Sequence, residues 1–176
     1  MRAHTYLRGF ATTVLVLLIL NGCSLRVGPQ PLEPLTTDGC SLFPDDAILS
    51  CCTDHDIDYW QGGTAARRKQ VDERFRRCVE DVSGSVLFAT LAHRGVRIGG
   101  NPYLPPAAGW GYGWPYPRRY APLLPEERAR VLASMHEALM ASEAACSVGD
   151  DRACHLHEIL ARRDEIRAGP SGSVAP

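Results

Sequence analysis

The sequence has no CxxC pair, no alternating strand pattern, no internal repeat and no excess of basic residues. The first absence sets aside a zinc-thiolate site, which is built from closely spaced cysteine pairs. Without alternation or repetition, a sheet and a solenoid both lose their signatures. With no basic excess, nothing suggests nucleic acid as a partner. A membrane-spanning run is missing as well: the uncharged stretch from Phe10 to Leu20 falls short of the roughly 20 apolar residues that a helix needs to cross a bilayer. What remains is a chain of 176 residues, 45% apolar and 22% charged. Those values suit one folded domain with appendages.

Arg2 and Arg8 precede the Phe10 to Leu20 run, and Asn21, Gly22 and Cys23 follow it. A basic segment followed by a short apolar one describes an export signal. Leu20-Asn21-Gly22-Cys23 resembles a bacterial lipoprotein processing site, which implies removal of residues 1–22 and lipid on Cys23. By the same resemblance, Ser24 favours the outer membrane, which gives a lipid-anchored protein of the cell envelope. Plain secretion, with Cys23 a spare thiol, is the alternative. Processing leaves 17 basic against 20 acidic residues, a net charge of −3. It also leaves an even set of cysteines, Cys40, Cys51, Cys52, Cys78, Cys146 and Cys154, bound for an oxidising compartment. Three disulfides are expected, in a pairing that spacing cannot choose.

Along the chain, residues 23–37 are proline-rich and aperiodic and read as a tether. Residues 38–100 form the expected core. A helix over Ala47 to Trp60 opens on Pro44-Asp45-Asp46 and ends at Gln61-Gly62-Gly63, and Thr64 caps a second helix over Ala65 to Val82. Their short connection makes the two helices antiparallel neighbours. The second carries Val71, Phe75, Cys78 and Val82 as its stripe, and Arg67 to Arg77 reads as a solvated face and, secondarily, as an anchor for anionic lipid. Ser85 to Ile98 is apolar and predicts a third helix packed into the core. Residues 101–124 interleave prolines with aromatic rings, so they form a long ordered loop or lid. Trp110, Tyr112, Trp114 and Tyr116 either contact a membrane surface or pack over the core. Residues 125–168 predict a helical hairpin with stripes Val131, Leu132, Met135, Leu139, Ser142 and Leu156, Ile159, Leu160, Arg163, which Cys146 and Cys154 could staple. Residues 169–176 read as a disordered tail.

The chemistry concentrates in Asp38 to Tyr59. On a helix, Cys52, His55, Asp56 and Tyr59 share one face, which offers a thiol, a proton acceptor, a hard oxygen ligand and a phenol where a packing stripe would show aliphatic residues. Cys51-Cys52-x-x-His55-Asp56-x-x-Tyr59 resembles the active-site helix of the secreted phospholipases A2, nearer the small prokaryotic members than the animal ones. Asp38-Gly39-Cys40 resembles the calcium loop of that family, and Val71-Asp72-Glu73-Arg74-Phe75 the segment carrying the carboxylate partner of the histidine. The likeness covers residues 36–80, roughly a quarter of the chain. It implies a calcium ion held by Asp38, the Gly39 carbonyl and Asp56, with His55 as general base, Asp72 as its orienting partner and Tyr59 bonded to Asp72. It also implies bridges Cys40–Cys52 and Cys51–Cys78. Two departures stand out: Ser41-Leu42-Phe43 replaces the glycine-rich loop of animal members, and Asp58 replaces a cysteine common among them.

These roles make physical sense. An imidazole takes a proton from water when its other nitrogen is held, and Asp72 on the antiparallel helix is placed to hold it. Asp56 points about 100° away around the helix, toward the Asp38 loop, where a hard cation would need oxygens. Asp45, Asp46, Asp54 and Asp58 read as helix-dipole and solvation residues, with Asp45 or Asp46 in reach of a cation. His93, His136, His155 and His157 have no partners at ligand spacing and read as structural or surface residues.

The expectation is therefore an all-α, small disulfide-linked domain built on two antiparallel helices carrying a His/Asp site, with an aromatic loop and a C-terminal helical hairpin. The expected activity is calcium-dependent hydrolysis of a glycerophospholipid ester, with phospholipid or a membrane surface as partner. A non-catalytic envelope lipoprotein of the same fold, binding lipid or a protein, is the alternative.

Overall fold

The computed structural model describes residues 31–40, 45–103 and 109–163. The signal segment, Cys23, the first part of the tether, Ser41-Leu42-Phe43 and the tail after Arg163 lie outside the described residues. The described residues form one compact unit. Among the described residues it is all-helical: α1 Asp45–Gln61, α2 Ala65–Ser83, α3 Val86–Gly99, α4 Pro125–Cys146 and α5 Asp151–Arg162. None of these helices is long and apolar enough to cross a membrane.

The helix ends follow from local chemistry. Gly62 and Gly63 turn the chain at positive φ after α1. The Thr64 hydroxyl accepts the Arg67 amide at the start of α2, the Ser85 hydroxyl accepts from Phe88 at α3, and the Asp150 carboxylate accepts from Ala153 at α5. Pro125 begins α4, whose buried Glu127 accepts the Leu124 amide and a two-bond grip from Arg118.

α1 is central and buried on nearly every side. On one flank Ile57 and Trp60 join Trp114, Val131, Met135, Ile159 and Leu160, so the α4–α5 hairpin docks there. On the other, Ile48, Cys51 and Cys52 meet Phe75, Val79, Ala89 and Ala92 of α2 and α3. Three disulfides close the frame: Cys40–Cys52, Cys51–Cys78 and Cys146–Cys154. The first two are the pairs implied by the resemblance, and the third staples the hairpin.

Several expectations change in detail. Val79 is fully buried, whereas Val82 is 48% exposed, so the buried α2 stripe runs Val71, Phe75, Val79 and does not extend to Val82. α3 does not lie in the core: only Ala89 and Ala92 are buried, and Leu87, Leu91 and Ile98 face out. The distal tether is packed, with Leu35 buried, the Glu33 carbonyl accepting the Trp60 indole N–H and the Thr36 carbonyl accepting the Tyr112 hydroxyl.

The aromatic loop finishes the end of α1. The last carbonyls of a helix lack intrahelical donors. Here Gly111 and Gly113 donate to the Tyr59 and Trp60 carbonyls, and the Trp114 indole donates to Gln61. The Trp110 indole donates to Gly63 just beyond. Gly111 takes φ +78°, and a Cβ there would come within 2.6 Å of the Arg118 side chain, while a Cβ on Gly62 would come within 3.0 Å of the Gly111 Cα. Trp110 and Trp114 are buried, so packing describes them and membrane contact does not. Tyr112 is half-buried and bonded to the Thr36 carbonyl, and Tyr116 is exposed.

Candidate functional site

The antiparallel pairing of α1 with α2 brings His55 and Asp72 together. Their side chains meet with Nε2 of His55 3.0 Å from Oδ1 of Asp72, and both are buried. The Tyr59 hydroxyl, one turn on, donates to the same oxygen at 2.7 Å. The Tyr59 and Phe75 rings lie tilted against the imidazole, with centroids 4.1 and 4.7 Å away. Burial opposes charge on Asp72, but hydrogen bonds from His55, Arg97 and Tyr59 outweigh it and hold the carboxyl below its usual range. An ionised Asp72 accepts only, so Nε2 is the N–H and Nδ1 carries the lone pair. Burial, then the Asp72 charge, pushes the Tyr59 phenol up, which keeps it a donor.

The second oxygen of Asp72 takes the Arg97 guanidinium of α3 at 2.6 Å. Arg68 sits behind, with Nε donating to the Tyr59 hydroxyl at 3.0 Å and the other nitrogens donating to the Tyr120 hydroxyl and the Val96 and Arg97 carbonyls. Arg68 thereby caps α3 while backing the site. Neither arginine was singled out by the sequence reading. Arg68 had a signal, since it lies one turn before Asp72 on the buried face of α2, but Arg97 had none.

Asp56 points away from this cluster, as its position on α1 requires. Its Oδ2 accepts the Thr37 hydroxyl at 2.6 Å, and the same Thr37 oxygen accepts the Gly39 amide at 3.1 Å. Thr37, read from the sequence as tether, thus ties the Asp38-Gly39 turn to α1. Gly39 itself adopts φ +75°. Burial pushes the Asp56 carboxyl up to about 7; the Thr37 bond opposes this and the Asp38 charge adds to it. Asp56 and Asp38 thus place two hard oxygen donors near one another, a pair of the kind that calcium takes. Among the described residues no three His, Cys, Asp or Glu side chains converge as a metal site. The remaining ligands of an ion held by Asp38 and Asp56 would therefore be backbone carbonyls, such as that of Gly39, and water. Arg152 of α5 lines the same recess as Thr37, Asp38 and Gly39.

A second charged cluster corrects the sequence reading of Asp54 and Asp58. Asp58 is buried and accepts from Arg67 at 2.7 Å, from Arg74, and from Gln61 at 2.9 Å, while Arg163 reaches it at 3.5 Å. Burial would raise its carboxyl, but Arg163, Arg67 and Arg74 together hold it below the usual range. Arg163 also grips the Asp54 carboxylate at 2.6 Å. Both aspartates therefore fasten the end of the hairpin to α1. The arginine run likewise departs from a uniformly solvated face, since Arg68 is buried and Arg74 reaches inward. His157 meets the Leu139 carbonyl at 3.4 Å in the hairpin, a structural position as expected.

Comparison with protein-family models, curated proteins and solved structures found no match to this chain.

Proposed function

We propose that this protein hydrolyses a glycerophospholipid ester in a calcium-dependent reaction of the phospholipase A2 type. The observation that carries the reading is the buried His55–Asp72–Tyr59 cluster, with Asp56 one residue beyond His55 and turned toward Asp38 and Gly39. Asp38, Asp56 and the Gly39 carbonyl would hold the ion. Calcium bound there supplies a Lewis acid for the ester carbonyl and a counter-charge for the developing oxyanion. Asp72, kept ionised by its donors, fixes the His55 tautomer with the proton on Nε2. Nδ1 then takes a proton from the attacking water and returns it to the leaving alcohol. Tyr59 and Arg97 hold Asp72 so that its Oδ1 stays turned to the imidazole.

The test is fatty-acid release from mixed phospholipid micelles by the chain from Ser24 onward, with calcium and with chelator, beside His55→Ala. Release that needs calcium and falls by roughly 100-fold or more in the variant is expected, in line with the loss of a general base. Release that survives His55→Ala, or none from folded protein that binds calcium, overturns the reading. The latter would favour the non-catalytic binder. Substitution of Trp110 or Trp114 is no test of that alternative, because both rings are core.

A further inference from the structure

The outer face of α3 is an apolar stripe with no helix packed on it among the described residues. Leu87, Leu91, Arg94 and Ile98 follow one another by four, three and four positions, so they form a single line down the helix. Leu87 is 72% exposed, Leu91 52% and Ile98 73%. Val86 and Val82, at 61% and 48%, extend the patch to the α2–α3 corner. The stripe runs about 16 Å along the helix at 1.5 Å per residue. Isolated exposed aliphatic side chains need no explanation, but a continuous row on one face does. The inner face meets the core mainly through two alanines, so turning the helix inward could bury the leucines only by displacing Phe88 and Val96 from the cluster they pack against.

Charge selects the occupant. α3 contains no Asp or Glu, Arg94 stands within the stripe, and His93 and Arg97 flank it. Glu80, on α2, is engaged by Arg76, which leaves Asp81 as the exposed acid of that corner. Aliphatic side chains in line, with the Arg94 guanidinium among them, Arg97 being engaged by Asp72, and no carboxylate on the helix, suit a surface that is apolar beneath and anionic at its head groups. The long Arg94 stem can lie along the apolar face while its head reaches phosphate. We infer that the outer face of α3 seats this protein on an anionic lipid bilayer through Leu87, Leu91, Arg94 and Ile98. This goes beyond the hydrolase reading and does not depend on turnover. It also gives the aromatic loop no part in lipid contact beyond exposed Tyr116.

The seat and the proposed site share one helix. Arg97 on α3 donates to Asp72, and the Val96 carbonyl accepts from Arg68. A bilayer under Leu87 to Ile98 therefore lies against the element that borders the His55–Asp72 cluster.

The experiment is co-sedimentation with phosphatidylcholine vesicles and with vesicles containing phosphatidylglycerol, in chelator so that calcium-dependent turnover is absent. It uses the chain from Ser24 onward, which keeps the whole compact unit with its core and three disulfides and cannot carry an acyl group on Cys23. Expected is binding to the anionic vesicles that weakens with salt. The triple variant Leu87→Ser, Leu91→Ser, Ile98→Ser should bind roughly tenfold or more weaker. Arg94→Gln should lose roughly fivefold, and only on anionic vesicles at low salt. All four substitutions are on the solvent face, and far-UV circular dichroism checks that each variant is folded. Failure of the folded wild type to bind overturns the proposal. So does binding that survives the triple variant but is lost in Tyr116→Ser. Concentration-dependent self-association abolished by the triple variant, without vesicle binding, overturns it in favour of a second copy of this chain.

Discussion

Three aspartates of α1 and α2 are withdrawn from water, Asp58 and Asp72 fully and Asp56 in part, and are answered differently. Asp72 has His55, Tyr59 and Arg97, and Asp58 has three guanidinium groups. Asp56 has one hydroxyl, from Thr37, and a like charge in Asp38. Its ordinary value of 3.8 rises to about 7. The unfolded chain therefore gives up this proton first as pH rises, and the folded state loses stability between the two values. The contribution is fully present below pH 3.8 and gone above about 7. With calcium chelated, Asp56→Asn should match the wild type near pH 4 and exceed it at pH 8. The difference should be about 2 kcal/mol, smaller than the full shift implies because the group keeps some exposure. Urea melts at the two pH values read this directly, and equal stabilities at pH 8 would remove the strained carboxylate from the account. Spacing made His55, Asp72 and Tyr59 legible, because three- and four-residue steps and a short interhelical turn fix which side chains can meet. The partners of Asp58 were not. Arg163 lies 105 residues away, and arginines that reach a buried carboxylate look, in sequence, like those that face water.

At the scale of elements, the disulfides divide into those that build the site and one that does not. Cys51–Cys78 spans 27 positions and locks α1 to α2 near His55, while Cys146–Cys154 spans 8 and closes a hairpin that its own turn already closes. Chain entropy alone gives about 3.5 kcal/mol for the first and about 2.5 for the second. Paired replacement by alanine should reproduce that order in urea melts. Only loss of Cys51–Cys78 should also loosen the imidazole, seen as a changed His55 ring signal by NMR. A larger loss from the hairpin bridge would show that α4 and α5 depend on their staple more than on Val131, Met135, Ile159 and Leu160. Helix ends were readable because caps and glycines act locally, as at Thr64 and Gly62. The burial of α3 was not readable, since an apolar composition marks a face that avoids water without saying what covers it. For the aromatic loop, proline density excluded a helix, but nothing local announced that its amides would finish α1.

For the whole molecule, the arrangement is a strongly held centre with one weakly held flank. α1 is enclosed by α2, the hairpin and the loop, and is crossed by two disulfides and the Asp58 cluster. α3 rests on Ala89, Ala92, Phe88 and Val96, with its last turn tied by Arg68 and the Arg97–Asp72 pair. A helix that buries little apolar surface opens at lower cost than the global fold. Amide exchange should therefore show α3 from Val86 to His93 opening at least about 2 kcal/mol below α1 and α2, with protection recovering toward Val96 and Arg97. Arg97→Gln should erase that recovery, because the charged bond to Asp72 holds this end of the helix to α2. It should leave the protection of Ile57 and Trp60 unchanged, since those residues belong to the hairpin flank. If α3 exchanged as slowly as α1, the helix would be part of the central cooperative unit and its outer stripe would need a structural reason. If it opens first, Asp72 is the residue on which the mobile flank and the rigid centre meet, and Arg97 is the contact by which one acts on the other.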